Sequence, residues 1–205
     1  MSQDWPQNDW FSPADTNYLA AIGAMTIRYA RLEEAHQGLA NFYLGSLPDG
    51  LRFQILQPMT NAERSAVLRA AADAVESSEA VKEAIFYFLR AFSICTENRS
   101  IAAHAAGMPG TTHVHLTKRT AGPPYRQNRY AVTVSDLRHA ADSTLAFVDY
   151  GKRLHRFLST RVIHDARKEE NWLVGPRPLP DRPAQPRKLA PYPPEEVHPD
   201  DPIPF

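Results

Sequence analysis

The feature that most constrains this chain is a stripe of apolar positions across residues 18–43. Tyr18, Ile22, Met25, Tyr29, Leu32, His36, Leu39 and Tyr43 recur at alternating spacings of four and three. That rhythm keeps them on one side of an α-helix for about seven turns. Asp15 or Thr16 is placed to cap the helix, and Gly45, Pro48 and Gly50 end it. A stripe of this length must be covered by other helices. With 43 % hydrophobic residues the chain has the material to cover it, while a mean hydropathy of −0.44 keeps it in the range of water-soluble proteins.

The covering elements can be read in turn. Residues 51–59 are short and mixed, and Thr60-Asn61-Ala62-Glu63 then forms a capping-box pattern. It opens a second helix with Val67, Ala70, Ala71, Ala74 and Val75 as its apolar face. Ser77-Ser78-Glu79 breaks the chain, and a third helix starts at about Ala80. Its stripe of Val81, Ile85, Phe88, Leu89, Phe92 and Cys95 marks it as the centre of the core, and Gly107, Pro109 and Gly110 stop it. Thr112-His113-Val114-His115-Leu116-Thr117-Lys118 alternates with a period of two, and Arg129-Tyr130-Ala131-Val132-Thr133-Val134 reads as the returning strand. Ser135-Asp136 then caps a last helix with Leu137, Ala141, Leu145, Val148, His155, Leu158 and Val162 near one face.

These elements predict a mainly α fold: an antiparallel four-helix bundle with a small β-hairpin, at about residues 111–134, inserted before the last helix. Residues 1–14 read as an irregular lead-in and 15–165 as the helical domain. Residues 166–205 form a proline-rich tail, with eleven prolines after residue 174, and are expected to be extended or disordered. A segment such as Pro176-Arg177-Pro178-Leu179-Pro180 has the composition of a ligand for a protein partner.

Several function classes drop out. No run of 18 apolar residues exists, so no membrane span is expected, and the first residues carry no signal-peptide pattern. The single Cys95 cannot form an internal disulfide, which points to a cytoplasmic setting. Its place on an apolar helical stripe argues against a nucleophile. The net charge is zero, unlike that of a non-specific polyanion binder. The charge is unevenly spread, however. Residues 1–50 carry two Arg against six acidic residues, and residues 111–165 carry nine Lys and Arg against four Asp.

The chemistry-bearing segment is Glu97-Asn98-Arg99-Ser100-Ile101-Ala102-Ala103-His104, at the end of the third helix. A guanidinium can hold a phosphate bidentately and neutralise charge as it develops. An imidazole moves protons near neutral pH. The pair suits phosphodiester chemistry without a metal. Five residues of ideal helix turn through about 500°, however, leaving Arg99 and His104 about 140° apart. Either the helix frays or a second chain completes the site. Glu97 and Ser100 align with His104, so Glu97 is placed to orient the ring, while Asn98 and Ser100 are placed to position a ribose-phosphate backbone. His113, His115, Lys118, Arg119, Arg126 and Arg129, with Tyr125 and Tyr130, give the hairpin the composition of an RNA-binding surface. His104, His113 and His115 lack a cysteine or acidic ligand to complete a zinc set, so no metal is expected.

With that segment in this position, the sequence resembles the HEPN superfamily, helical bundles that carry an Arg-x4-6-His motif. Arg99-Ser100-Ile101-Ala102-Ala103-His104 matches with four intervening residues, and Ser100 stands where the family usually has Asn, Asp or His. The string Cys95-Thr96-Glu97-Asn98-Arg99 is similar to the motif region of uncharacterised bacterial HEPN-like proteins. The resemblance covers roughly residues 15–162. It implies a cofactor-free, metal-independent endoribonuclease, a homodimer with the two motifs facing each other, and RNA as substrate, in a defence or toxin setting. Arg31-Leu32-Glu33-Glu34-Ala35-His36 has the same spacing, but His36 lies on the first helix's apolar stripe and reads as a core histidine. The alternative is a non-catalytic helical interaction protein that binds a partner through the bundle and the tail.

Overall fold

The computed structural model describes residues 13–104, 106–109, 114–119, 127–166 and 178–191. The described residues are mainly helical. In chain order they form α1 (Pro13–Tyr43), α2 (Asp49–Leu56), α3 (Asn61–Val75), α4 (Glu79–His104), β1 (Ala106–Pro109), β2 (Val114–Arg119), β3 (Gln127–Val132) and α5 (Val134–Ala166). No helix among them is long and apolar enough to cross a membrane.

Local chemistry explains the boundaries. α1 opens on Pro13, whose fixed φ and missing N–H suit a first helical position. The Thr60 side chain accepts from the Glu63 amide while Glu63 reaches back to the Thr60 N–H, so the capping box is formed. α5 starts two residues earlier than a cap at Ser135 would place it. Thr133 is the capping residue, its hydroxyl accepting from the Asp136 N–H at 3.0 Å while the Asp136 carboxylate takes the Thr133 N–H at 3.0 Å. α2 was not expected. Only Leu56 of its eight residues is buried, so it writes no apolar period. Asp49 in its first turn and an Asp49–Arg52 ion pair one turn apart support it.

The strands form one antiparallel sheet in the order β1-β2-β3. β2 is central, with Leu116 opposite Gly107 on one side and Tyr130 on the other. β1 is a strand that the sequence reading left as part of the glycine-proline stop after α4.

Helix directions depart from the expected antiparallel plan. α1 and α5 run the same way: Asn17 meets Arg138, Ala35 meets Gly151 and Phe42 meets His155. α3 follows α1 as well, with Asn61 at Tyr29, Ser65 at His36 and Glu76 at Tyr43. Of the long helices, α4 opposes them, setting Thr96 against Tyr29, Phe88 against His36 and Tyr87 against Phe147. The reason is connectivity. α2 brings the chain back before α3 begins, whereas only three residues separate α3 from α4 and force a reversal.

The core has two clusters. The larger is centred on α4, where Phe88 and Ile85 are fully buried among Leu32, Leu39, Leu68, Phe147 and Leu158. A buried aromatic of this kind stabilises by about 1.5–3 kcal/mol. The smaller joins Met25, Ile101, Tyr130, Val132 and Leu137, where α4 ends and the sheet begins. Where α1, α4 and α5 meet, Gly151 lets the Phe88 ring and Ala35 sit against bare backbone.

Residues 178–191 have no regular secondary structure, yet they are packed on the helices. Leu179 lies against the larger cluster and Leu189 against the smaller.

Candidate functional site

α4 stays helical through Glu97–His104, so no fraying brings Arg99 and His104 to one face. The two positions remain about 140° apart around the axis. Ile101 and Ala102 are buried in the smaller cluster and fix the rotation of this stretch. Arg99, two positions before Ile101, turns toward α1, its guanidinium carbon 5.7 Å from the centre of the Tyr29 ring. The His104 side chain lies outside the described residues.

Arg99 thus borders a polar cluster contributed by three helices. The Tyr29 hydroxyl is 2.9 Å from Thr96 Oγ1 and accepts from Asn61 Nδ2 at 3.0 Å. Asn61 also donates to Glu33, and Arg64 donates to Asn61 Oδ1 at 3.2 Å. Burial pushes the Tyr29 phenol above its ordinary range, while the bonds to Thr96 and Asn61 and the charge of Arg99 work against that rise.

His36 lies about two turns further along α1 than Tyr29. Its ring is fully buried, stacked 4.1 Å from the Phe92 centroid, with Nε2 3.0 Å from Ser65 Oγ. Burial first, and then the Arg64 charge, lower its pKa to about 4, so it is a neutral core histidine at physiological pH. Cys95 is buried too, and burial raises its thiol to about 11, which removes the thiolate that a nucleophile needs.

Asn98, only 2 % exposed, faces away from Arg99 and into the C-terminal segment. Its Nδ2 donates to the Arg187 carbonyl at 2.9 Å and its Oδ1 accepts from the Leu189 N–H at 2.9 Å. The side-chain amide pairs with the tail backbone as a neighbouring strand would. With the tail in place it presents nothing to a ribose-phosphate. Glu97 pairs with Lys188 at 2.9 Å rather than with an imidazole described here. Ser100 is half-buried.

The same docking continues up the helix. The Tyr87 hydroxyl donates to the Pro183 carbonyl at 2.6 Å, and Gln185 donates to the Tyr87 carbonyl at 3.3 Å. Arg182 reaches Glu83 at 3.4 Å and lies 5.3 Å over the Tyr87 ring. Contacts from Glu83 to Asn98 cover about 22 Å of helix, and seven tail residues bridge that distance only if extended, at about 3.1 Å each. Tyr87, Glu83, Arg182 and Leu189 are therefore part of this surface, although the sequence reading gave them no functional role, and Leu179 joins them from the Pro176–Pro180 segment that has the composition of a ligand. The available signal was in the tail: two leucines ten residues apart, with basic residues between them, facing a helix that carries acids at Glu83 and Glu97.

Of the residues read as an RNA surface, Arg129 is described in β3 and half-buried. His115, Lys118 and Arg119 are placed in β2, in register with Ala131, Asn128 and Gln127, while His113 and Arg126 lie outside the described residues. Among the described residues, no three His, Cys, Asp or Glu side chains gather as metal ligands do. Beside the sheet, a cleft lined by Val132, Asp136, His139, Arg187 and Leu189 separates β3 and the start of α5 from the tail. No family model, no curated protein and no solved structure matches the chain.

Proposed function

We propose that the chain is a HEPN-like protein directed at RNA, acting as a metal-independent endoribonuclease in a homodimer. The observation that carries this reading is the placement of Arg99 and His104 at the end of α4 that leads into the sheet, where β1 starts opposite Thr117 of β2 and Thr117 in turn lies opposite Arg129 of β3. In the proposed reaction the ribose 2′-oxygen attacks phosphorus and the 5′-oxygen leaves. His104 moves the proton between those oxygens, and Arg99 neutralises the charge gathering on the non-bridging oxygens. The products are a 2′,3′-cyclic phosphate and a free 5′-hydroxyl. Because the two positions diverge by about 140° on one unbroken helix, each site takes Arg99 from one chain and His104 from the other. The four-helix bundle, with its inserted hairpin, is the scaffold that holds them. His113, His115, Lys118, Arg119, Arg126 and Arg129 guide the RNA.

Incubation of purified protein with a mixed RNA pool in EDTA tests this. Wild type is expected to yield cyclic-phosphate ends, while His104→Ala and Arg99→Ala yield none above buffer. Identical traces from all three overturn the enzymatic reading.

A second reading is favoured by one specific observation: both polar atoms of Asn98 are taken by the chain's own tail. It makes the molecule a non-catalytic helical interaction protein. Under that reading the wild type is silent on RNA and α4 serves as a recognition surface.

A further inference from the structure

A proline-rich strand cannot satisfy its own carbonyls, so it stays docked only where another element supplies donors and accommodates its side chains. α4 does both along one face. Tyr87 donates to the Pro183 carbonyl, and Asn98 brackets Lys188 by taking the Arg187 carbonyl and the Leu189 N–H. The two basic side chains between the leucines that reach α4 each meet an acid, Arg182 at Glu83 and Lys188 at Glu97. Leu179 and Leu189 anchor the ends in two different apolar clusters. Backbone, charge and apolar side chain are thus all read, in one register, over the eleven residues from Leu179 to Leu189. The ionic contacts are solvent-facing, with Lys188 55 % and Glu97 39 % exposed, and such pairs exchange readily.

We propose that the Glu83–Asn98 face of α4 is a recognition surface for an extended, basic, proline-rich peptide, which residues 178–191 occupy in cis and an external peptide of the same chemistry displaces. The surface stands independently of any activity on RNA. Tethering gives the chain's own segment an effective concentration in the millimolar range, so an external peptide binds the intact protein only weakly until the strap is disabled. Specificity comes from the spacing of the two bases and from the amide bracket, because with Asn98 holding the backbone on either side of one base, a changed spacing carries the other base off its acid.

The test uses the full chain and a fluorescent synthetic peptide with the sequence of residues 178–191, read by anisotropy. A strap-disabled variant, Arg182→Glu with Leu189→Asp, alters only tail residues and leaves α4 untouched. It is expected to bind the peptide at least tenfold more tightly than wild type does. Adding Asn98→Ala to it weakens binding at least fivefold, and a scrambled peptide does not bind. Equal affinity for wild type and the disabled variant, indifference to Asn98→Ala, or no binding to the disabled variant would each overturn the proposal. A measurement on unaltered protein gives a second check. In a ¹⁵N-labelled wild-type chain, excess unlabelled peptide is expected to speed exchange of the Leu189 amide, which Asn98 shields. An unchanged exchange rate counts against displacement.

Discussion

His36 shows how a single side chain ties this fold to pH. Its ring is neutral inside the core and titrates at about 4, against about 6.5 in an unfolded chain. Between those values the unfolded state binds the proton and the folded state does not. Stability therefore falls as pH drops from about 6.5 to about 4, by on the order of 3 kcal/mol in all. Urea unfolding at pH 7 and pH 4.5 should show the loss, and His36→Gln should show a shallower slope. Asn98 and Arg99 show the opposite relation between neighbours. One residue apart, they lie about 100° apart around α4, the first turned to the tail and the second to Tyr29. A linear motif invites both to be read as parts of one site. Helical phase separates them, and that was legible from the angle alone. The occupant of the Asn98 side was not, because an asparagine's partner leaves no trace in its own sequence neighbourhood.

The helices themselves were largely readable where burial is periodic. α1, α3, α4 and α5 each write a stripe or a cap into the sequence, whereas α2, with one buried residue, writes neither. Two interactions between elements hold the helices in register. Gly151 sits where a Cβ would come 2.6 Å from the Phe88 ring and 3.2 Å from Ala35. Gly151→Ala gains helix propensity but forces the three helices apart, so a net loss of about 1–3 kcal/mol is expected in thermal unfolding. At the far end, Glu76 closes α3 with its carboxylate almost fully buried. Arg161 of α5 grips it with two bonds of 2.6 and 2.7 Å, and the Tyr43 hydroxyl of α1 donates at 2.7 Å. Burial alone would raise the Glu76 carboxyl, but the bonds from Arg161 and Tyr43 hold it below its usual range. Arg161→Ala strands that charge and is expected to cost about 3 kcal/mol or more. Differential scanning calorimetry would register it as a lower transition temperature, with the larger effect above the carboxylate's ordinary pKa, where the stranded group is ionised.

At the scale of the molecule, the proposed dimeric site makes a prediction that no single chain can imitate. Arg99→Ala and His104→Ala proteins, each silent alone, are expected to recover about a quarter of wild-type RNA cleavage when unfolded and refolded together. Half of the dimers are then mixed, and each mixed dimer has one intact pair, as a two-fold interface requires. No recovery, with wild type active, would place both groups of a site in one chain. The order of the helices in sequence was readable, but their directions were not. Periodicity fixes which face of a helix is buried and says nothing of which end meets its neighbour.

Those directions have an electrostatic consequence. In an alternating bundle the helix dipoles cancel in pairs. Here α1, α3 and α5 point one way and α4 the other. With about half an elementary charge at each helix end, the starts of α1 and α5 against the end of α4 leave roughly half a positive charge uncancelled toward the sheet, while α3 starts farther away, beside Tyr29. The molecule therefore has an electric axis although its formal charge is zero. The field of a helix end fades within a turn, so this axis does not draw a polyanion from afar. It favours a phosphate that has already arrived beside the starts of α1 and α5, and not one at the end of α4, whose own pole is negative.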